Sequence, residues 1–109
     1  MHTITSTQEF EAIISDNLAV LVYFSHDRCS VCKTLKPKIN DHFSAHFPEM
    51  KRIYVNTENN PEIVGKYSIF TVPVILVFFE GRETYRKARS IGVLELAELV
   101  DRPYSMIFS

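Results

Sequence analysis

The sequence predicts an α/β architecture with a mixed sheet and helices on both of its faces, and three observations carry that expectation. Two uninterrupted apolar runs, Leu18 to Phe24 and Val72 to Phe79, have the length of strands and the lack of alternation that marks a strand buried on both faces. The segments between them space their apolar residues three and four apart, as helices do. The last two strand-like segments are joined only by Glu80-Gly81-Arg82, short enough for an antiparallel hairpin, whereas the earlier connections read as right-handed crossovers within a parallel core.

Each element follows from its own residues. Thr3 to Thr5 is a weak opening strand. Ser6-Thr7-Gln8-Glu9 reads as a capping box ahead of Phe10, Ile13 and Ile14, so a first helix is expected from Thr7 to Ser15. Leu18 to Phe24 is a central strand. After Ser25-His26-Asp27-Arg28, the residues Val31, Leu35, Ile39 and Phe43 recur every fourth position around Pro37, which predicts a longer helix kinked near that proline. Arg52 to Asn56 is a short strand, and Asn59-Asn60-Pro61-Glu62 starts a short helix reaching Tyr67, with proline at the first helical position. Val74 to Phe79 is a strand led by Pro73, and Glu83 to Ala88 returns as a polar edge strand. From Ser90, two interleaved apolar sets (Ile91, Leu94 and Ala97; Val93, Leu96 and Val100) predict a last helix, expected to end before Pro103. The apolar tail Tyr104 to Phe108 is expected to pack on its own domain or into a partner subunit.

Composition bounds the function. The 109 residues fit one domain, 1–109, and 46% hydrophobic residues with 8 Phe and 5 Tyr supply a core that needs no staples. Twelve Lys and Arg against 13 Asp and Glu leave a net charge of −1, which speaks against a nucleic-acid or anionic-membrane partner. No apolar stretch approaches the roughly 18 residues that span a bilayer. The first residues carry neither a basic nor an apolar signal region, so a cytoplasmic location is expected. Only two cysteines occur, Cys29 and Cys32, too few for a secreted disulfide scaffold and suited to redox chemistry or a metal.

The chemistry rests on that pair. In open α/β sheets ligands and reactive groups gather beyond the carboxyl ends of the central strands, where helices begin, and Cys29 stands just past the strand ending at Phe24. Residues three apart in a first helical turn lie about 5 to 6 Å apart, so Cys29 and Cys32 can form and break a disulfide in place. The unsatisfied N–H groups and positive dipole end at a helix start favour thiolate, which makes Cys29 the expected nucleophile and leaves Cys32, one turn in, to resolve. Arg28, Lys33 and Lys36 add cationic surroundings. Two plainer readings stand beside this one. Cys29 and Cys32 with His42 and His46 superficially match a zinc-finger spacing, but Cys32 and His42 on one helix would be about 15 Å apart, too far to share a metal. His26 is a better-placed third ligand, though a loop histidine is ordinarily solvated, and no metal is expected. The cysteines could also be inert packing residues.

The stretches F-S-H-D-R-C-S-V-C-K-T-L-K-P, V-N-T-E-N-N-P-E-I-V-G-K-Y-S-I-F-T-V-P and V-F-F-E-G together resemble the thioredoxin family along nearly the whole chain. Phe24, Cys29, Cys32, Lys33, Pro37, Asn56, Pro61, Tyr67, Pro73 and Gly81 fall on that family's motif positions. The resemblance implies the thioredoxin fold, a three-layer α/β/α sandwich, and makes Pro73 a cis-proline that faces the cysteines and presents the Val72 backbone to an extended substrate. It implies a protein-disulfide oxidoreductase with no bound cofactor, only the redox-active Cys29–Cys32 disulfide. Substrate contacts would come from Arg28, Ser30, Val31, Val72 and Pro73, and the partners would be protein disulfides and a thioredoxin reductase, with the protein a monomer or weak dimer.

The departures are equally specific. Arg28 stands where the family has tryptophan, and Ser30-Val31 replaces Gly-Pro between the cysteines, which leaves the reduction potential and partner choice open. Tyr23 takes the place of the family's buried acid and Tyr54 that of its lysine, so the usual proton acceptor for the resolving cysteine is missing. The glycine usual after the last strand has no clear counterpart, since Gly92 opens the last helix instead. These absences keep a second class in view, a thioredoxin-fold adaptor that holds a peptide in the groove beside Pro73 without turnover.

Overall fold

The computed structural model describes residues 1–109. The chain forms β1 (His2–Thr3), α1 (Thr7–Asp16), β2 (Ala19–Ser25), α2 (Ser30–His46), β3 (Lys51–Asn56), α3 (Pro61–Lys66), β4 (Val74–Phe79), β5 (Arg82–Ala88) and α4 (Val93–Phe108). The strands make one sheet in the order β1-β3-β2-β4-β5, parallel from β1 through β3 to β2 and antiparallel from β2 through β4 to β5. Strand residues alternate between two cores. Val20, Val22 and Phe24 of β2 face the layer of Phe10, Ile14 and Ile63, while Leu21 and Tyr23 face the layer of Ile39, Phe43, Leu96 and Val100. Helices α1 and α3 thus cover one face, and α2 and α4 the other, giving the three-layer α/β/α sandwich.

One connection departs from the expected parallel core. β4 runs antiparallel to β2, with Phe24 beside Val74 and Ala19 beside Phe79. At about 1.5 Å per residue the six residues of α3 rise only about 9 Å, whereas a six-residue strand spans about 20 Å. The helix is too short to carry the chain back along the sheet, so β4 starts at the end where β3 stops. The carboxyl end of β2 and the entry to β4 therefore lie side by side, and this brings Pro73 to the cysteine loop.

Local boundaries follow their residues with small shifts. Ser6 caps α1 by accepting from the Glu9 N–H at 3.1 Å, but the Glu9 carboxylate reaches back to the Thr5 N–H at 2.8 Å, one residue earlier than a capping box requires. Leu18 lies outside β2 and is exposed, whereas Ser25 ends the strand buried. The turn between β4 and β5 puts Glu80 (φ 54°) and Gly81 (φ 81°) in the left-handed region, the backbone that joins antiparallel strands without splaying them. The expected stop before Pro103 is overturned, since α4 begins at Val93 and runs through Pro103 to Phe108. Tertiary packing offsets the hydrogen bond lost at the proline. Tyr104 sits 5.0 Å from the Phe47 ring and 4.7 Å from Phe108, and its hydroxyl accepts the Glu49 N–H at 2.9 Å. The apolar tail packs on its own chain.

Candidate active site

Strand β2 ends at Ser25 and the chain turns through His26, whose carbonyl accepts the Cys29 N–H at 3.2 Å. Cys29 is the N-cap of α2, in extended conformation (φ −90°, ψ 103°) and half-buried. Cys32, in the first turn, is 1% exposed. The two are joined in a disulfide with Cα atoms 5.3 Å apart, and the Cys32 N–H points at Cys29 Sγ from 3.2 Å. An N–H and a helix start placed in this way stabilise negative charge on the accessible sulfur. No hydrogen-bond donor points at the Cys32 sulfur.

Beneath the pair the missing acid is replaced by a stack of two phenols. Tyr23 and Tyr54 occupy paired positions of β2 and β3 with ring centroids 6.4 Å apart, and Lys36 Nζ lies 3.9 Å over the Tyr54 ring. The Tyr23 hydroxyl donates to the Cys32 carbonyl at 2.9 Å, which ties the first turn of α2 to the central strand. Burial, reinforced by the neighbouring Tyr54, pushes the Tyr23 hydroxyl up to about 12, and burial also raises Tyr54. Neither phenol accepts a proton near neutral pH.

A groove of about 630 Å³ opens beside Cys29. Val31 and Leu35 of α2, Val72 and Pro73 ahead of β4, and Ile91 ahead of α4 give it apolar surface. The Val72–Pro73 bond is cis. Of the expected substrate contacts, the structure brings Val31, Val72 and Pro73 together here, Val31 being 61% exposed. Arg28 and Ser30 are not among the lining residues. Arg28 instead forms an ion pair with Glu58, whose carboxylate offsets the cationic charge that adjacency to Cys29 suggested. His42 and His46 lie one turn apart on α2, their rings 4.3 Å apart, in a separate surface hollow against α4.

Sequence reasoning missed the polar part of the lining, Thr34 and Lys38 on α2 and Arg89 and Ser90 after β5. Arg89 is the first residue after β5, takes a left-handed backbone (φ 64°), and donates its N–H to the Pro73 carbonyl at 2.9 Å. This is the conformation for which glycine is ordinarily used. Gly92, by contrast, caps α4 at φ −85°, where any residue fits. The signal for Arg89 was the missing glycine after the last strand, visible in the sequence but not assignable without the β5 register.

The thioredoxin family profile matches residues 1–102, nearly all of the elements described. The chain belongs to the thioredoxin family. A thioredoxin-like protein of Bacillus subtilis, YdfQ, is 30% identical over 106 residues, which cover 97% of this chain and 91% of that one. A thioredoxin of Rickettsia bellii is 30% identical over 91 residues, 84% of each chain. Among solved structures, a Plasmodium falciparum thioredoxin superposes with a TM-score of 0.84 at 26% identity, covering 94% of this chain and 98% of that one. The thioredoxin family is one of disulfide oxidoreductases acting on protein disulfides, and with Cys29 and Cys32 at bonding distance this member is a thiol-disulfide oxidoreductase.

Proposed function

We propose that the protein reduces disulfides of extended protein segments laid along the groove beside Pro73, and that this serves redox homeostasis in the cytoplasm, with electrons supplied by a thioredoxin reductase. The observation that carries the reading is the asymmetry of the pair, with one sulfur on an N-cap at the groove and the other buried behind it. Cys29 thiolate attacks one sulfur of the substrate disulfide and the other substrate sulfur leaves as thiolate. Cys32, after losing its proton, attacks Cys29 Sγ and expels the second substrate thiolate. Two electrons pass to the substrate, and the protein ends in the disulfide-bonded state seen here. Val31, Val72 and Pro73 hold the segment, while Arg28 and Ser30 touch it at the edge of the cysteine loop.

The test is catalytic reduction of a protein disulfide with a chemical reductant in excess. The parent turns over, Cys29→Ser is inactive, and Cys32→Ser accumulates a mixed disulfide through Cys29. Trapping through Cys32 in the Cys29→Ser variant would reverse the assignment. Binding of a peptide without any reduction would identify an adaptor instead.

A further inference from the structure

The groove carries charge that the exchange reaction itself does not use, from Lys38 on α2 and from Arg89 just after β5. Lys38 and Arg89 both line the groove, and no aspartate or glutamate does. Neither cation takes part in an ion pair, whereas Arg28, Lys66, Arg86 and Lys87 each hold a glutamate. Glu95, the next carboxylate along the chain after Arg89, is taken by Lys87 at 3.1 Å. The imbalance is local, because the whole chain has a net charge of −1.

The backbone at Arg89 makes the placement specific. Its N–H is bonded to the carbonyl of Pro73, so residue 89 is fixed at the groove by the same segment that forms the groove's floor. Its φ of 64° is one that a branched or long side chain adopts at a cost and glycine adopts freely. Sparsely populated backbone of this kind persists only where the surrounding structure holds it, and it is concentrated at active sites and ligand clamps. A guanidinium presents a planar fork of donors that matches a carboxylate in two-point contact, and Lys38 adds a second point charge.

We propose that Arg89, assisted by Lys38, selects substrates whose disulfide is flanked by an acidic side chain. The proposal rests on the oxidoreductase reading and names the class of substrate for that site. The reacting bonds are unchanged: the Cys29 and Cys32 dithiol is oxidised and the substrate disulfide reduced. The carboxylate stays ionised and only raises the encounter rate and the occupancy of the groove.

The experiment mixes pre-reduced protein with three matched peptide disulfides in which the residues beside the cysteine are Glu, Gln or Lys, and follows single-turnover reduction at low and high salt. In the parent the Glu peptide reacts about fivefold faster than the Gln peptide at low salt, the size of a favourable partly exposed ion pair, and the Lys peptide reacts slowest. The Glu-to-Gln ratio falls in Arg89→Gly, falls to one in Arg89→Gly/Lys38→Gln, is largely kept in Arg89→Lys, and shrinks as salt screens the contact. Arg89→Gly also relieves the left-handed backbone, so it melts no lower than the parent and a lost ratio is not a folding defect. Equal reduction of the Glu and Gln peptides by the parent, or an acidic preference that survives in the double variant, would overturn the proposal and leave the oxidoreductase reading intact. Reduction of none of the peptides would overturn both.

Discussion

Resolution of the mixed disulfide is expected to be the pH-sensitive step, because Cys32 must shed its proton in a site where Tyr23, stacked on Tyr54, stands in place of the family's buried acid. With Tyr23 at about 12, roughly one molecule in 100,000 carries the phenolate at pH 7, too few for it to serve as base. Hydroxide or water must then take the proton, and the rate follows the thiolate fraction of Cys32. For a thiol near the ordinary pKa of about 8.5, that fraction rises about fiftyfold between pH 6.5 and 8.5. Rapid-mixing measurement of substrate release from the Cys29 mixed disulfide should show this rise. Tyr23→Phe should leave the slope unchanged, since the hydroxyl is lost as a donor to the Cys32 carbonyl but was never a base. Tyr23→Asp should speed release near neutral pH. It should also cost stability: a buried, unpaired acid has a folded pKa above its unfolded value of about 3.9, so the penalty sets in as pH rises past 3.9 and grows until the folded pKa is reached. Release that is already fast and flat from pH 6 to 9 in the parent would refute the reasoning and point to another base, with Asp27 or His26 the first to replace.

Three further outcomes are expected. The Tyr23 hydroxyl titrates near 12 folded and near 10 unfolded, so its contribution is intact below pH 10 and is lost as pH rises from 10 to 12, on the order of 2 kcal/mol in all; Tyr23→Phe should flatten the alkaline limb of a stability-against-pH curve in that window. Phe70, 90% exposed beside Thr71 and Val72, should be an anchor for protein substrates, so Phe70→Ala should raise KM for a protein disulfide about tenfold while changing stability by less than about 0.5 kcal/mol in a denaturant titration. Tyr104→Ala removes ring contacts to Phe47 and Phe108 and the acceptor of the Glu49 N–H, and should cost about 2 kcal/mol, or about 8 °C in Tm by calorimetry.

The parts of the fold legible in the sequence are those whose cause is local. The runs of β2 and β4 announce themselves because both faces of each strand are buried, and Ser6 and Cys29 mark helix starts through caps that need only the next three residues. The direction of β4 was not legible from pattern, because it depends on comparing the rise of α3 with the length of a strand. The passage of α4 through Pro103 was not legible either, because what carries it is Tyr104 packing on Phe47, a residue from the end of α2. The first needs a comparison of lengths between elements, and in the second a local preference is outweighed by a contact far along the chain.

The two arginines near the cysteine show the same division at the site. Arg28 precedes Cys29 in sequence, and adjacency alone gave it the cationic role, yet its side chain is spent on Glu58, and an ion pair of two largely exposed groups leaves little field at the sulfur. Arg89 lies sixty residues from Cys29 in the chain and reaches the groove only because β5 pairs with β4 and its N–H closes on the Pro73 carbonyl. A chain neighbour of a helix N-cap points wherever the loop turns it, whereas a residue bonded to the backbone of the opposite wall has its position set by the sheet. The share of the groove's charge that comes from Arg89 is therefore decided by strand register, and substitutions that change the β4–β5 turn at Glu80 and Gly81 should alter acidic-substrate preference without touching either cysteine.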